Sequence, residues 1–169
     1  IENVRILDGG LAAWRAAGGS LAEGPVTPPM GNVTVLHDDL YAGALPTLTA
    51  QQVDAAKVTL LDARSPERFR GEVEPVDPVA GHIPGAKNLP SGQLLAADGM
   101  FLTQDDLAQL LANHGIERAA PVGAYCGSGV TATITLAALA TMGHQAALFP
   151  GSWSEWSSDP ARAVARGSE

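Results

Sequence analysis

At 169 residues the chain is long enough for one well-buried core but a tight fit for two, and its 46% hydrophobic and 17% charged composition is that of a globular protein. A net charge of −8 excludes a sequence-independent nucleic-acid binder, which needs Lys and Arg to neutralise phosphates, and no basic stripe occurs. No run approaches the ~20 apolar residues that span a bilayer, and no signal-peptide pattern opens the chain, so the expected location is cytoplasmic, with neither membrane nor nucleic acid as partner.

Residues 4–7 read as a short strand, followed by the Gly9-Gly10 turn and a helix over residues 11–17. Pro25, Pro28 and Pro29 with flanking glycines then form a stretch that neither a helix nor a central strand tolerates. The expected division is a C-terminal remnant of a first domain over 1–22, a linker over 23–44 and a complete domain over 45–169. An internal repeat supports it. Leu7-Asp8-Gly9-Gly10-Leu11-Ala12-Ala13-Trp14 recurs loosely as Phe149-Pro150-Gly151-Ser152-Trp153-Ser154-Glu155-Trp156, an offset of 151 − 9 = 142 positions.

Within the second unit, apolar runs over 58–61, 121–125 and 146–149 read as buried strands. Between them lie helical segments over 49–55, 103–113 and 131–142, each opening at a Thr; the last two close at Gly115 and Gly143. Strand-helix alternation implies an α/β fold, a central parallel sheet with helices on both faces and a site where strands end and helices begin.

Cys126, the only cysteine, stands at such a junction in Ala124-Tyr125-Cys126-Gly127-Ser128-Gly129-Val130-Thr131. One cysteine forms no intramolecular disulfide and no thiolate metal site, so its chemistry is that of a lone nucleophile. Gly127 and Gly129 allow a tight turn whose N–H groups point inward, and the following helix N-terminus favours an anion. Both are expected to lower the Cys126 pKa and to stabilise a persulfide on the same sulfur. The plainer alternative is a small buried hydrophobe, and the catalytic reading requires a sulfur that solvent reaches.

The loop resembles the active loop of rhodanese-type sulfurtransferases, in particular the variant of 3-mercaptopyruvate sulfurtransferases; thiosulfate-specific members carry cationic side chains where this chain has Gly127 and Ser128. Gly81-His82-Ile83-Pro84-Gly85-Ala86 is similar to the family's turn of that sequence, and the segment from Phe149 to Trp156 to its C-terminal signature. The resemblance covers residues 45–160 and the leading fragment. It implies a rhodanese-like domain in which Cys126 carries the transferred sulfur, Ser128 contacts that sulfur as a second catalytic residue, Arg68 binds the substrate carboxylate, and Gly127, Ser128, Gly129, Val130 and Thr131 hold the persulfide. It implies no cofactor and no metal, a small-molecule sulfur donor, a thiol acceptor such as a thioredoxin-like protein, and a companion N-terminal rhodanese domain. A second substrate arginine of some mercaptopyruvate enzymes would fall at Asp77. In the Pro-Gly turn, His82 is read as a structural hydrogen-bonding residue. A cysteine phosphatase would need an Arg six residues after Cys126, where Ala132 stands.

Overall fold

The computed structural model describes residues 4–43, 45–55, 58–117 and 120–168. Residues 1–3, Ala44 and Glu169, which the expected domain division includes, lie outside them.

Four short parallel strands form one sheet: β1 (Thr59–Asp62), β2 (Lys87–Asn88), β3 (Val122–Tyr125) and β4 (Ala146–Leu148), in the spatial order β2-β1-β3-β4. Three strands match the apolar runs. β2 escaped because a two-residue strand of Lys87 and Asn88 has no apolar signal; it is placed by pairing, Leu61 opposite Lys87 and Asp62 opposite Asn88.

Along β1 and β3 the side chains alternate between two cores, as strand geometry dictates. Leu61, Val122 and Ala124 pack with Leu107 and Leu111 of α4 (Gln104–Asn113) and with Ala138 and Leu139 of α5 (Ala132–Thr141). Leu60 and Tyr125 turn the other way. They pack with Ala50 and Val53 of α2 (Ala50–Ala55), Phe69 of α3 (Pro66–Arg70), and Trp153 and Trp156 of α6 (Ser152–Ser158). Both faces of the sheet are thus covered, which explains the unbroken burial of β3.

The helix starts follow local capping chemistry. Thr103 Oγ1 accepts from the Asp106 N–H at 3.2 Å, and Thr49 and Gln52 form a reciprocal box, Gln52 N–H to Thr49 Oγ1 at 3.2 Å and Thr49 N–H to Gln52 Oε1 at 2.8 Å. Thr131 precedes α5 without a side-chain capping bond.

At the N-terminal end the expected strand over residues 4–7 is absent: these residues are exposed and pair with no strand of the described chain. The helix that follows, α1 (Gly10–Ala16), has no buried residue. The repeat nonetheless has a conformational counterpart. Gly10 and Ser152, at the 142-residue offset, each open their helix with positive φ, 55° and 53°.

Candidate functional site

β1 and β3 run in register, with Asp62 opposite Tyr125, so the segments that follow them leave the sheet side by side. β2 lies on one side of β1 and β3 on the other, so this edge is the switch point at which open parallel sheets place their sites. Cys126 comes immediately after β3, and the Arg64–Arg68 segment shortly after β1.

The backbone around Cys126 is clamped from α6. The Cys126 N–H donates to Ser152 Oγ at 3.1 Å, the Trp153 N–H to Cys126 O at 3.1 Å, and the Ser154 N–H to Gly127 O at 3.0 Å. Ser152 Oγ in turn donates to Phe149 O at 2.9 Å. Ser152 is fully buried at φ 53°, a left-handed conformation unusual for a side chain with a Cβ and of the kind that clusters at functional sites. Sequence reasoning missed this residue as a site component, because 26 positions separate it from Cys126 and only the fold brings them together.

After Cys126 the chain crosses five residues before α5. None of the backbone N–H groups of Gly127, Ser128, Gly129, Val130 and Thr131 donates to a protein acceptor among the described residues. Consecutive unpaired donors ahead of an uncapped ten-residue helix form a cradle for negative charge. The two glycines serve different ends. Gly129 has φ 81°, and a Cβ there would stand 2.6 Å from Pro150 O, so only glycine fits without displacing backbone. Gly127, expected to supply turn flexibility, has no positive φ, and a Cβ there would meet the Arg68 guanidinium at 3.5 Å to Nη1 and 3.6 Å to Nη2, an ordinary contact.

Ser128, Val130 and Thr131 are exposed, while Cys126 is 3% exposed and packs within the core cluster of α4 and α5. The open sulfur anticipated from the sequence is therefore a recessed one, and in burial Cys126 resembles a core cysteine. What separates it from a plain core residue is the row of unpaired donors that follows it. The Ser128 side chain makes no hydrogen bond among the described residues.

The arginines divide. Arg64 is buried beneath the site, bonded through Nη2 to Asp62 Oδ2 at 2.6 Å and to Gly81 O at 2.7 Å, with its guanidinium 4.8 Å from the Trp153 ring centre. Burial opposes its charge, but the bonds and proximity to Asp62 outweigh that and raise its pKa. Arg70 is paired with Glu72 at the surface, at 2.8 Å. Arg68 alone reaches the loop. Its Nε and Nη2 are taken by Glu74, at 3.3 Å to Oε2 and 2.6 Å to Oε1, and Nη2 also lies 3.6 Å from Asp77 Oδ2. Both acids that meet Arg68 follow it within nine residues, and their spacing in sequence carried no signal.

His82 is fully buried, its Nδ1 2.7 Å from Phe69 O and its ring stacked on Phe69 at 3.7 Å; its backbone bonds both ways with Ala165. Among the described residues no helix is long and apolar enough to cross a membrane.

A family model for the rhodanese-like domain matches residues 45–159. The chain is 68% identical over 167 residues to a putative thiosulfate sulfurtransferase, SseB, of Mycobacterium tuberculosis strain H37Rv, covering 99% of this chain and 59% of that protein. It is 46% identical over 170 residues to a probable 3-mercaptopyruvate sulfurtransferase of Pseudomonas aeruginosa, covering 98% of this chain and 59% of the relative. A 3-mercaptopyruvate sulfurtransferase of Escherichia coli K12 is 37% identical, over 92% of this chain and 56% of its own. The chain thus spans under two thirds of the length of these relatives. In fold it matches an anaerobic ergothioneine biosynthesis enzyme of Chlorobium limicola with a TM-score of 0.85, at 24% identity, over 98% of this chain and 42% of the other. Parallel sheet, motif order and family match agree: the chain belongs to the rhodanese-like family.

Proposed function

We propose that the chain is the catalytic part of a sulfurtransferase in which Cys126 carries sulfur from 3-mercaptopyruvate to a thiol acceptor or cyanide. The Cys126 thiolate attacks the donor's sulfur. The Sγ–S bond forms as the donor's C–S bond breaks, and the bonding pair leaves as the enolate of pyruvate. The proton of the donor's thiol ends on that carbon, releasing pyruvate and leaving Cys126 as a persulfide. An acceptor thiolate then takes the outer sulfur and returns the Cys126 thiolate. The observation that carries this reading is the row of unpaired N–H groups from Gly127 to Thr131, which supplies fixed positive dipoles beside the sulfur where an anionic persulfide would lie.

Arg68, beside Gly127, is the residue next to the loop suited to a donor carboxylate, through its Nη1 edge. Thiosulfate is the second reading, favoured by the name of the mycobacterial relative. Against it stand a loop with no cationic side chain at Gly127 or Ser128 and an Arg68 already paired with acids. The test compares both donors in steady-state kinetics alongside Cys126→Ala, with the mass of the loaded protein. Expected are a preference for mercaptopyruvate, a gain of one sulfur atom on the native chain and none on the variant. A strong thiosulfate preference would overturn the donor assignment. Because Cys126 is recessed, its reaction with a small thiol reagent in the folded protein is a second check: a sulfur inert until unfolding defeats the whole reading.

A further inference from the structure

Beside the loop gathers a cluster of charge of which the proposed reaction uses Arg68 alone. Two guanidinium groups, Arg64 and Arg68, face three carboxylates, Asp62, Glu74 and Asp77, all joined by contacts of 2.6 to 3.6 Å. The sum is 2 − 3 = −1, at the mouth of a loop shaped to receive an anion. Each acid is buried: the side chains of Asp62, Glu74 and Asp77 are 0%, 3% and 7% exposed, so water screens them weakly. Asp77 stands apart from the others. Asp62 is tied to Arg64 and Glu74 accepts from both arginines and from the backbone N–H groups of Val76 and Asp77, whereas Asp77 Oδ2 is buried without a hydrogen bond and meets Arg68 only at 3.6 Å. A buried carboxylate oxygen without a hydrogen bond is ordinarily destabilising, and this one contributes little holding geometry in return.

We propose that Asp77, backed by Glu74, is a specificity residue: a fixed negative charge behind Arg68 that admits monoanionic sulfur donors and disfavours dianionic ones. The inference rests on Arg68 and Cys126 acting as proposed above. Glu74 occupies the Nε–Nη2 edge of Arg68 and leaves Nη1 toward Gly127, so a carboxylate has one edge to bind. The surplus charge of the acids repels the donor in proportion to the donor's own charge. On removal of Asp77's charge the gain for a dianion is therefore the square of the gain for a monoanion, about tenfold against about threefold for a weakly screened neighbour.

The test is kcat/KM of Asp77→Asn and Asp77→Glu, with mercaptopyruvate and with thiosulfate, over a range of ionic strength. Asp77→Asn keeps the side chain's shape and has no Oδ2 hydrogen bond to lose. Expected are a rise of about tenfold with thiosulfate and about threefold with mercaptopyruvate, and a thiosulfate rate that increases with salt less steeply in the variant than in the native chain. Asp77→Glu, which keeps the charge, should retain the native ratio and slope. A change by the same factor for both donors, a fall with thiosulfate, or identical salt slopes would show a merely structural role and overturn the proposal while sulfur transfer stands. If the native chain transfers sulfur from neither donor to cyanide, the Cys126 reading fails and this one fails with it.

Discussion

Glu74 joins the two arginines: its Oε2 accepts from Arg64 at 3.3 Å while Oε1 accepts from Arg68 at 2.6 Å. Burial by itself would raise its pKa; the hydrogen bond from Arg68, the backbone N–H groups of Asp77 and Val76, and the Arg68 charge outweigh that and hold the carboxyl below its ordinary value. A lowered folded-state pKa means that the ionised form stabilises the native state. That contribution is complete above the ordinary value of 4.5 and is lost as pH falls through the lower folded value. Glu74→Gln is accordingly less stable than the native chain at neutral pH, by about 1–3 kcal/mol for a lost charge-assisted bond. The gap should close as the pH drops below 4.5. Urea melts of both proteins at neutral pH and in steps below 4.5 check this; a gap that persists or widens in acid would contradict it. Tyr125, by contrast, is pushed well above the ordinary tyrosine range by burial and by Asp62, and stays a neutral donor and acceptor, its oxygen accepting from the Ile83 N–H.

The junction of β3 with α5 is the element whose geometry matters most. Its two glycines make a controlled pair. Gly129→Ala puts a Cβ 2.6 Å from Pro150 O at φ 81°, and because the obstacle is backbone the loop must shift. A loss of roughly 2 kcal/mol and a fall of more than about tenfold in sulfur transfer are expected. Gly127→Ala meets only the Arg68 guanidinium at 3.5 Å, an ordinary contact with a movable side chain, and should keep native stability. Thermal melts and donor kinetics of the two variants, measured side by side, separate a conformational demand from mere smallness. The loop's glycine pattern was legible in the sequence; which glycine bears the strain was not, because Pro150 comes from a segment 21 positions on.

At the scale of the molecule, one sheet organises the described chain and the N-terminal segment stands apart from it. α1 has no buried residue, and residues 4–22 reach the rest through a bond from the Phe101 N–H to Asp8 Oδ1 at 2.9 Å, a packing contact near Met100, and Ile6, which lines a cavity with Leu136, Ala137 and Ala140 of α5. Deleting residues 1–22 should therefore move the melting temperature of the remainder by no more than about 3 °C, measured by calorimetry. A larger drop would mean that the segment belongs to the same cooperative unit. The exposed Leu11 and Trp14 of α1 contrast with the buried Trp153 and Trp156 of α6, so the two copies of the repeat share a helix opened at positive φ and differ in the strand before it and in what covers it.

The amino-acid sequence by itself determined the local features: the buried strand runs, the helices capped by Thr49 and Thr103, the cysteine at a strand end and the glycine-rich turn before a helix, since each depends on neighbours a few residues away. It also carried the family, through three ordered motifs. Tertiary structure alone decided the recession of Cys126, the clamp from Ser152, the sorting of Arg64, Arg68 and Arg70 into different roles, and the acids that answer Arg68. Residues 4–7 show the limit from the other side, because a strand-like run forms no strand without a neighbouring edge to receive its hydrogen bonds. Contacts between distant segments set which charges are buried and which donors stay unpaired, and these follow from the packing of the sheet rather than from any local pattern.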